Sequence, residues 1–213
     1  MAAMTRDEAV SFIQVELGFR TDQTDNIIAR LKQAQRLFEL GRSLPWFLVQ
    51  EDATLTATTG SGEIALPTGF IREVPHETLR YYSSTDTEEV FLEKLSLVEA
   101  VSRFTDVDAG APLAYVLRKS TVAIYPERDT SYALTWSYYK QADELSTNIT
   151  NAWLTNAPDA LIGRAGMLIA EVLKNQSALV KFTSLYREGW AAAFAQTIMR
   201  EEDNDPLYVG GQL

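Results

Sequence analysis

The sequence predicts an α+β protein in which helices from both chain ends form a bundle, a β-rich lobe is inserted between them, and an extended tail closes the chain. Three observations predict it. Apolar residues recur at helical spacing in the first forty and the last sixty residues, and alternate at strand spacing between them. Threonine and tyrosine concentrate in the middle, where β-strands favour them. After the last helical stripe, Pro206 and the Gly210-Gly211 pair bracket a short apolar island. The predicted divisions are 1–44 for the N-terminal helical pair, 45–150 for the lobe, 151–202 for the C-terminal helices and 203–213 for the tail.

Val10, Ile13 and Leu17, flanked by Phe12, mark a short amphipathic helix that Gly18 closes. Thr21 or Asp22 is placed to cap a second helix. Its apolar residues, Ile27, Ile28, Leu31, Ala34, Leu37 and Phe38, share one face, and Gly41 and Pro45 end it. In the middle, Thr54 to Thr59 alternates, Gly60-Ser61-Gly62 turns the chain, and Glu63-Ile64-Ala65-Leu66 follows, which predicts a hairpin. Val90–Leu95, Leu113–Arg118, Thr121–Tyr125 and Tyr132–Tyr139 read as further strands, with a short helix at Leu97–Phe104. Pro158 and Asp159 then open a helix whose stripe is Leu161, Ile162, Ala165, Leu168, Ile169, Val172 and Leu173. Gly163 and Gly166 interrupt it and suggest close helix–helix approach. A last long helix, from about Ser177 to about Glu202, buries Phe182, Leu185, Tyr186, Trp190 and Phe194. Leu161, Leu168, Ile169, Phe182 and Trp190 are the expected bundle core.

The net charge of −10 is unevenly placed. Residues 1–44 carry six basic and six acidic side chains, residues 45–150 eight against sixteen, and residues 151–213 five against seven. No stretch is strongly basic, so a tight grip on a phosphate backbone is not expected. A wall that DNA slides past would favour this sign, and so would plain solubility. No run approaches the ~20 apolar residues of a membrane span. Met1 to Asp7 lacks the basic start and apolar run of a signal peptide. A soluble protein made in a cytoplasm is the expectation.

Chemistry is scarce in the sequence. There is no cysteine and a single histidine, His76, which reads as a loop residue beside Pro75. Triads, zinc clusters and histidine-paired bases need more than that. Glu88-Glu89 and Asp106/Asp108 are acidic pairs without the ligand ladder of a calcium loop. Gly60-Ser61-Gly62 lacks the lysine and spacing of a phosphate loop. Asn148-Ile149-Thr150 matches a glycosylation acceptor without a secretory context. Trp136, Tyr138 and Tyr139 could serve as a sugar platform, although on a strand such rings more often face a core. No catalytic, cofactor-binding or metal site is expected.

A longer pattern spans about Trp46 to Glu202. Pro45-Trp46-Phe47 follows the helical pair, and Glu63 to Phe70 (Glu-Ile-Ala-Leu-Pro-Thr-Gly-Phe) follows a threonine-rich strand. Ile124-Tyr125-Pro126 precedes the strand ending Tyr138-Tyr139-Lys140. Then come Leu145-Ser146, Thr150-Asn151-Ala152-Trp153-Leu154, and Ala157-Pro158-Asp159 at a helix start. In order and spacing this resembles the head-to-tail adaptor proteins of tailed bacteriophages. The resemblance implies a non-enzymatic virion protein at the neck: a homo-oligomeric, twelvefold ring joining the portal protein to a tail or neck protein. DNA would only pass through its channel, with no cofactor and no membrane contact. It also implies a C-terminal segment reaching into the portal, for which Pro206, Leu207, Tyr208 and Val209 are the candidates. A tail terminator or completion ring, and a carbohydrate- or surface-binding module, are the alternatives.

Overall fold

The computed structural model describes residues 3–60, 63–75, 79–83 and 88–204. His76, Ser61, Gly62 and the tail candidates Pro206 to Val209 lie outside the described residues. The chain is a mixture of helix and strand, and it separates into two compact units. One comprises residues up to Leu48 and from Ala142 onward; the other is Val49–Gln141. The changeover thus falls four residues after the first sequence boundary and nine before the second. The chain is already extended at Val49 and has left its last strand after Lys140.

The helical unit contains α1 (Arg6–Glu16), α2 (Thr24–Glu39), α4 (Ala152–Asn156), α5 (Pro158–Val172) and α6 (Gln176–Asn204). A capping box opens α1: Thr5 accepts from the Glu8 N–H while the Glu8 carboxylate accepts from the Thr5 N–H. Gly18 at φ +83° and Phe19 at φ +60° then turn the chain toward α2. The expected cap of α2 is absent. Thr21 and Asp22 lie in a 3₁₀ turn, Thr21–Gln23, and α2 starts at Thr24 with no side-chain cap. Asp22 instead accepts two hydrogen bonds from Arg20, which hold its carboxyl well below the usual range. An acid two residues from an arginine takes the stronger, charge-assisted partner.

α5 and α6 form the closest pairing in this unit, and three glycines make it possible. A Cβ on Gly163 would lie 2.7 Å from the Tyr186 Cα, one on Gly166 would overlap the Phe182 ring, and one on Gly189 would lie 2.8 Å from the Asp159 backbone carbon. Leu161, Ile162, Ala165, Ile169 and Ala170 are buried along the same helix. An aromatic stack fills the remainder. The Phe38 ring lies 4.8 Å from Trp153 and 4.7 Å from Trp190, and Phe47 meets Trp153 edge-on at 5.0 Å. Such pairs add roughly 0.5–1.5 kcal/mol each beyond burial.

The inserted unit is two sheets facing one core. Strands β1 (Val49–Ala57), β3 (Phe70–Glu73), β4 (Arg80–Ser83), β5 (Glu88–Phe91) and β9 (Tyr132–Lys140) make one sheet, in order β1-β9-β4-β5 with β3 also on β9. Strands β2 (Glu63–Ala65), β6 (Glu93–Lys94), β7 (Ala114–Leu117) and β8 (Thr121–Tyr125) make the other, in order β2-β8-β7-β6, with only β6 and β7 parallel. Ala57, Tyr81, Leu134 and Trp136 from the first sheet pack against Tyr115, Val122 and Ile124 from the second. Alternation sends Val116 and Ala123 to the opposite face, where α3 (Leu97–Phe104) covers them with Ala100. The predicted hairpin does not form. β1 pairs β9 and β2 pairs β8, so the chain through Gly60 passes from one sheet to the other.

Of the expected core residues, Leu161, Ile169 and Phe182 are no more than 1% exposed, whereas Leu168 and Trp190 are half-buried and Val172 is 61% exposed. Leu161→Ala should therefore cost roughly 2–5 kcal/mol and Leu168→Ala distinctly less, which paired thermal melts will show. Gly163→Ala is the sharper test. Alanine gains about 1 kcal/mol of helix propensity over glycine, but the Tyr186 backbone cannot move aside without parting α5 from α6. The expected outcome is a lower melting temperature, against the direction that propensity alone requires.

Candidate functional site

The acidic pairs and motifs of the sequence do not come together. Asp106, Asp108 and Glu127 are exposed on loops, and no group of three or more histidine, aspartate or glutamate side chains is placed to hold a metal among the described residues. Trp136, Tyr138 and Tyr139 are 0%, 4% and 3% exposed. Phe70 packs on the first two at 5.0 and 5.4 Å, and the Arg72 guanidinium lies 5.1 Å over the Tyr139 ring. Rings used this way are not a platform for a sugar.

A buried polar junction organises the helical unit instead. Glu39, at the last turn of α2, is 6% exposed. Its Oε1 accepts three hydrogen bonds: from Gln35 Nε2 at 3.0 Å, from the Ala142 N–H at 3.1 Å and from Trp153 Nε1 at 3.2 Å. Gln35 Nε2 also donates to the Ala142 carbonyl at 3.0 Å, and Gln35 Oε1 accepts from Asn151 Nδ2. Asn151 in turn donates to the Asp143 carbonyl and caps α4 by accepting from the Leu154 N–H at 3.1 Å. Two side chains one helical turn apart on α2 thereby hold the chain where it returns from the insertion. Burial raises the Glu39 pKa, and the three donors offset that only in part. The sequence carries a signal for this pair: Gln35 and Glu39 each follow a stripe residue, Ala34 and Phe38, at the fourfold spacing that places them beside the buried face.

A second anchor sits near the end of α6. The Trp46 N–H donates to Thr197 Oγ1 at 3.2 Å, and the Arg200 guanidinium lies 3.5 Å over the Trp46 ring. Thr197 is itself buried. These contacts fix α6 only a turn before the tail begins.

The remaining surface is apolar in places. Phe12, Val15 and Phe19 at α1, and Leu37 and Leu40 at α2, are between 40% and 84% exposed. No helix among the described residues is long and apolar enough to cross a membrane. A shallow groove of about 390 Å³ between α1 and α2 is lined by Val10, Gln14, Thr24 and Ile28 together with Arg6 and Asp7.

The exposed apolar side chains on α1 and α2 are the kind of surface that a structural subunit presents to its neighbours. The family comparison agrees. The family described as SU10 adaptor protein matches residues 4–210, nearly the whole chain, and the chain belongs to this family of phage head-to-tail adaptors. No curated protein matches it. Membership makes it a structural component of the virion that oligomerises and contacts other phage structural proteins.

Glu39→Ala should leave three buried donors unsatisfied and cost roughly 3 kcal/mol or more, whereas Glu39→Gln keeps an acceptor for all three. The pH dependence has a definite sign. A carboxyl raised on folding contributes its full stability below its ordinary value of about 4.5 and loses it as pH rises through the raised value. The melting temperature of Glu39→Gln relative to wild type should therefore increase from acid to neutral pH.

Proposed function

We propose that this chain forms the adaptor ring between portal and tail, a homo-oligomer of about twelve copies closed around the DNA channel. The observation that carries the reading is the match to the adaptor family over residues 4–210. The sequence order shared with head-to-tail adaptors between Trp46 and Glu202 supports it. In this reading the protein sits in the neck of the virion and has no enzymatic activity. DNA passes it without being gripped, as suits a net charge of −10.

The portal contact is assigned to the C-terminal segment Pro206-Leu207-Tyr208-Val209. Pro206 stops any helical continuation, and the three residues after it favour extended structure. An extended segment can add to a sheet edge or fill a groove between portal subunits. Ordering it costs roughly 1–2 kcal/mol per residue, which makes one copy a weak ligand. Copies displayed on one ring engage together at high effective concentration. The Trp46–Thr197–Arg200 anchor supports the assignment by fixing the helix that would present the segment.

Truncation after Asn204, where α6 ends, tests this. The truncated protein should melt like the full chain, since the Trp46 anchor is retained, and should fail to attach to portal-bearing heads in a pull-down. Attachment of the truncated protein as tight as that of the full chain would move the portal contact elsewhere.

A further inference from the structure

We propose that α1 and α2 carry the two halves of the contact between successive copies of this chain, the outer face of α1 on one copy seating on the outer face of α2 on the next. The inference rests on the ring reading above and names the surfaces that would build it.

The groove lined by Val10 and Gln14 on α1 and by Thr24 and Ile28 on α2 lies between the two helices. At about 100° per residue, Phe12 and Val15 fall on the side of α1 away from that groove. By the same count Gln33, Leu37 and Leu40 fall on the side of α2 away from it. The two exposed stripes therefore sit on opposite flanks of the helix pair. Phe12 is 40% exposed, Val15 49%, Leu37 42% and Leu40 84%, so each flank offers apolar side chains that the unit covers only in part.

Charge distinguishes the flanks. On α1 Glu8 lies within the stripe, while Asp7 is paired with the helix's single base, Arg6, at 2.7 Å and Glu16 with Lys181 of α6 at 2.9 Å. On α2 Arg30 and Arg36 border the stripe and Arg42 follows it. The single acid between Asn26 and Arg42 is Glu39, which is buried. One flank thus carries the Glu8 carboxylate beside its apolar residues, and the other is apolar and basic. Face-to-face pairing of α2 with α2 would oppose arginines, whereas α1 on α2 matches both charge and apolarity. A contact between unlike faces on opposite flanks is heterologous, the kind that repeats from copy to copy until a ring closes. Leu37 and Leu40 within the basic flank favour a protein partner over a phosphate backbone.

The natural chain has no cysteine, which makes the test direct. Val15→Cys and Leu37→Cys are made separately in the full chain, at exposed positions, and each variant is checked for a wild-type thermal melt. They are treated with a short bismaleimide alone and as an equal mixture, beside wild-type sedimentation velocity. The expected result is a covalent dimer in the mixture and neither variant cross-linking alone, with the double variant giving a ladder. Arg36→Glu with Arg42→Glu in the Leu37→Cys partner should lower the mixed yield about tenfold. Cross-linking of either single variant with itself as strong as in the mixture overturns the inference in favour of an isologous contact. No cross-link while the wild type sediments as an oligomer overturns the assignment of faces and leaves the ring standing. A wild type that stays monomeric at every concentration, without cross-link, removes both. If duplex DNA binds the wild type and the arginine changes abolish that binding without lowering the cross-link yield, α2 faces nucleic acid and the charge argument fails.

Discussion

The structure depends on one constraint: a lobe of more than ninety residues interrupts the helical unit, and the two flanking stretches must still find each other. The Glu39–Gln35 pair meets that constraint. It binds both backbone groups of Ala142 and the indole of Trp153, and through Asn151 the start of α4. The N-terminal stretch adds to the same closure, since the Met4 and Arg6 N–H groups donate to the carbonyls of Leu154 and Ile149. The lobe is closed at its own base as well, because Val49 pairs with Tyr139 in the first sheet. Each side of the insertion is tied independently, so the loop-closure entropy of the interruption is offset in both units.

A buried carboxylate is an expensive way to tie a chain, since an apolar replacement of similar volume is often neutral or stabilising. Its advantage here is register. The returning segment has no strand partner or helix of its own between Ala142 and Asn151, and apolar packing alone would let it slide. Three convergent donors on one oxygen admit a single placement, and that placement sets where α4 and α5 begin. The α5–α6 glycines work to the same end by steric means. They bring two helices closer than side chains allow, and the aromatic stack of Phe38, Trp153 and Trp190 then locks α2 against that pair.

The helices were legible because their periodicity is a property of each segment alone: α3 coincides with the predicted Leu97–Phe104, and α5 and α6 begin within a residue of their signals. Tyr132–Lys140 and Thr121–Tyr125 were legible for the same reason. Strand pairing was not. Gly60 promises a hairpin locally, but β9, some seventy residues later, is the better partner for β1: seven residues of β1 pair with it, whereas β2 is only three residues long. β3 and β4 were missed because each is short and charged residues, Arg72 and Glu73 in one and Arg80 in the other, leave no clear apolar alternation. Leu168 and Val172 show the opposite failure. Their stripe is faultless, yet α6 covers only part of it, since burial is decided by the partner and not by the helix. Gln35 and Glu39 lie beside the buried face by spacing, but what they bind is set only by the returning chain placed over them.

Contacts with other phage structural proteins draw on surfaces, which leave little trace in sequence motifs. A catalytic site concentrates unusual residues within a few ångströms, and a single sequence can betray it. An assembly surface spreads ordinary residues over helices, each contributing a modest share. Phe12, Val15, Leu37 and Leu40 look like imperfect amphipathicity when each helix is read alone. They acquire meaning only when the fold shows which sides of α1 and α2 remain uncovered. In a closed ring every copy makes the same contact twice, once through each flank, so modest affinity per contact suffices for the whole. For the proposed contact between copies, the informative feature is the difference in charge between the exposed sides of α1 and α2 and not any single residue.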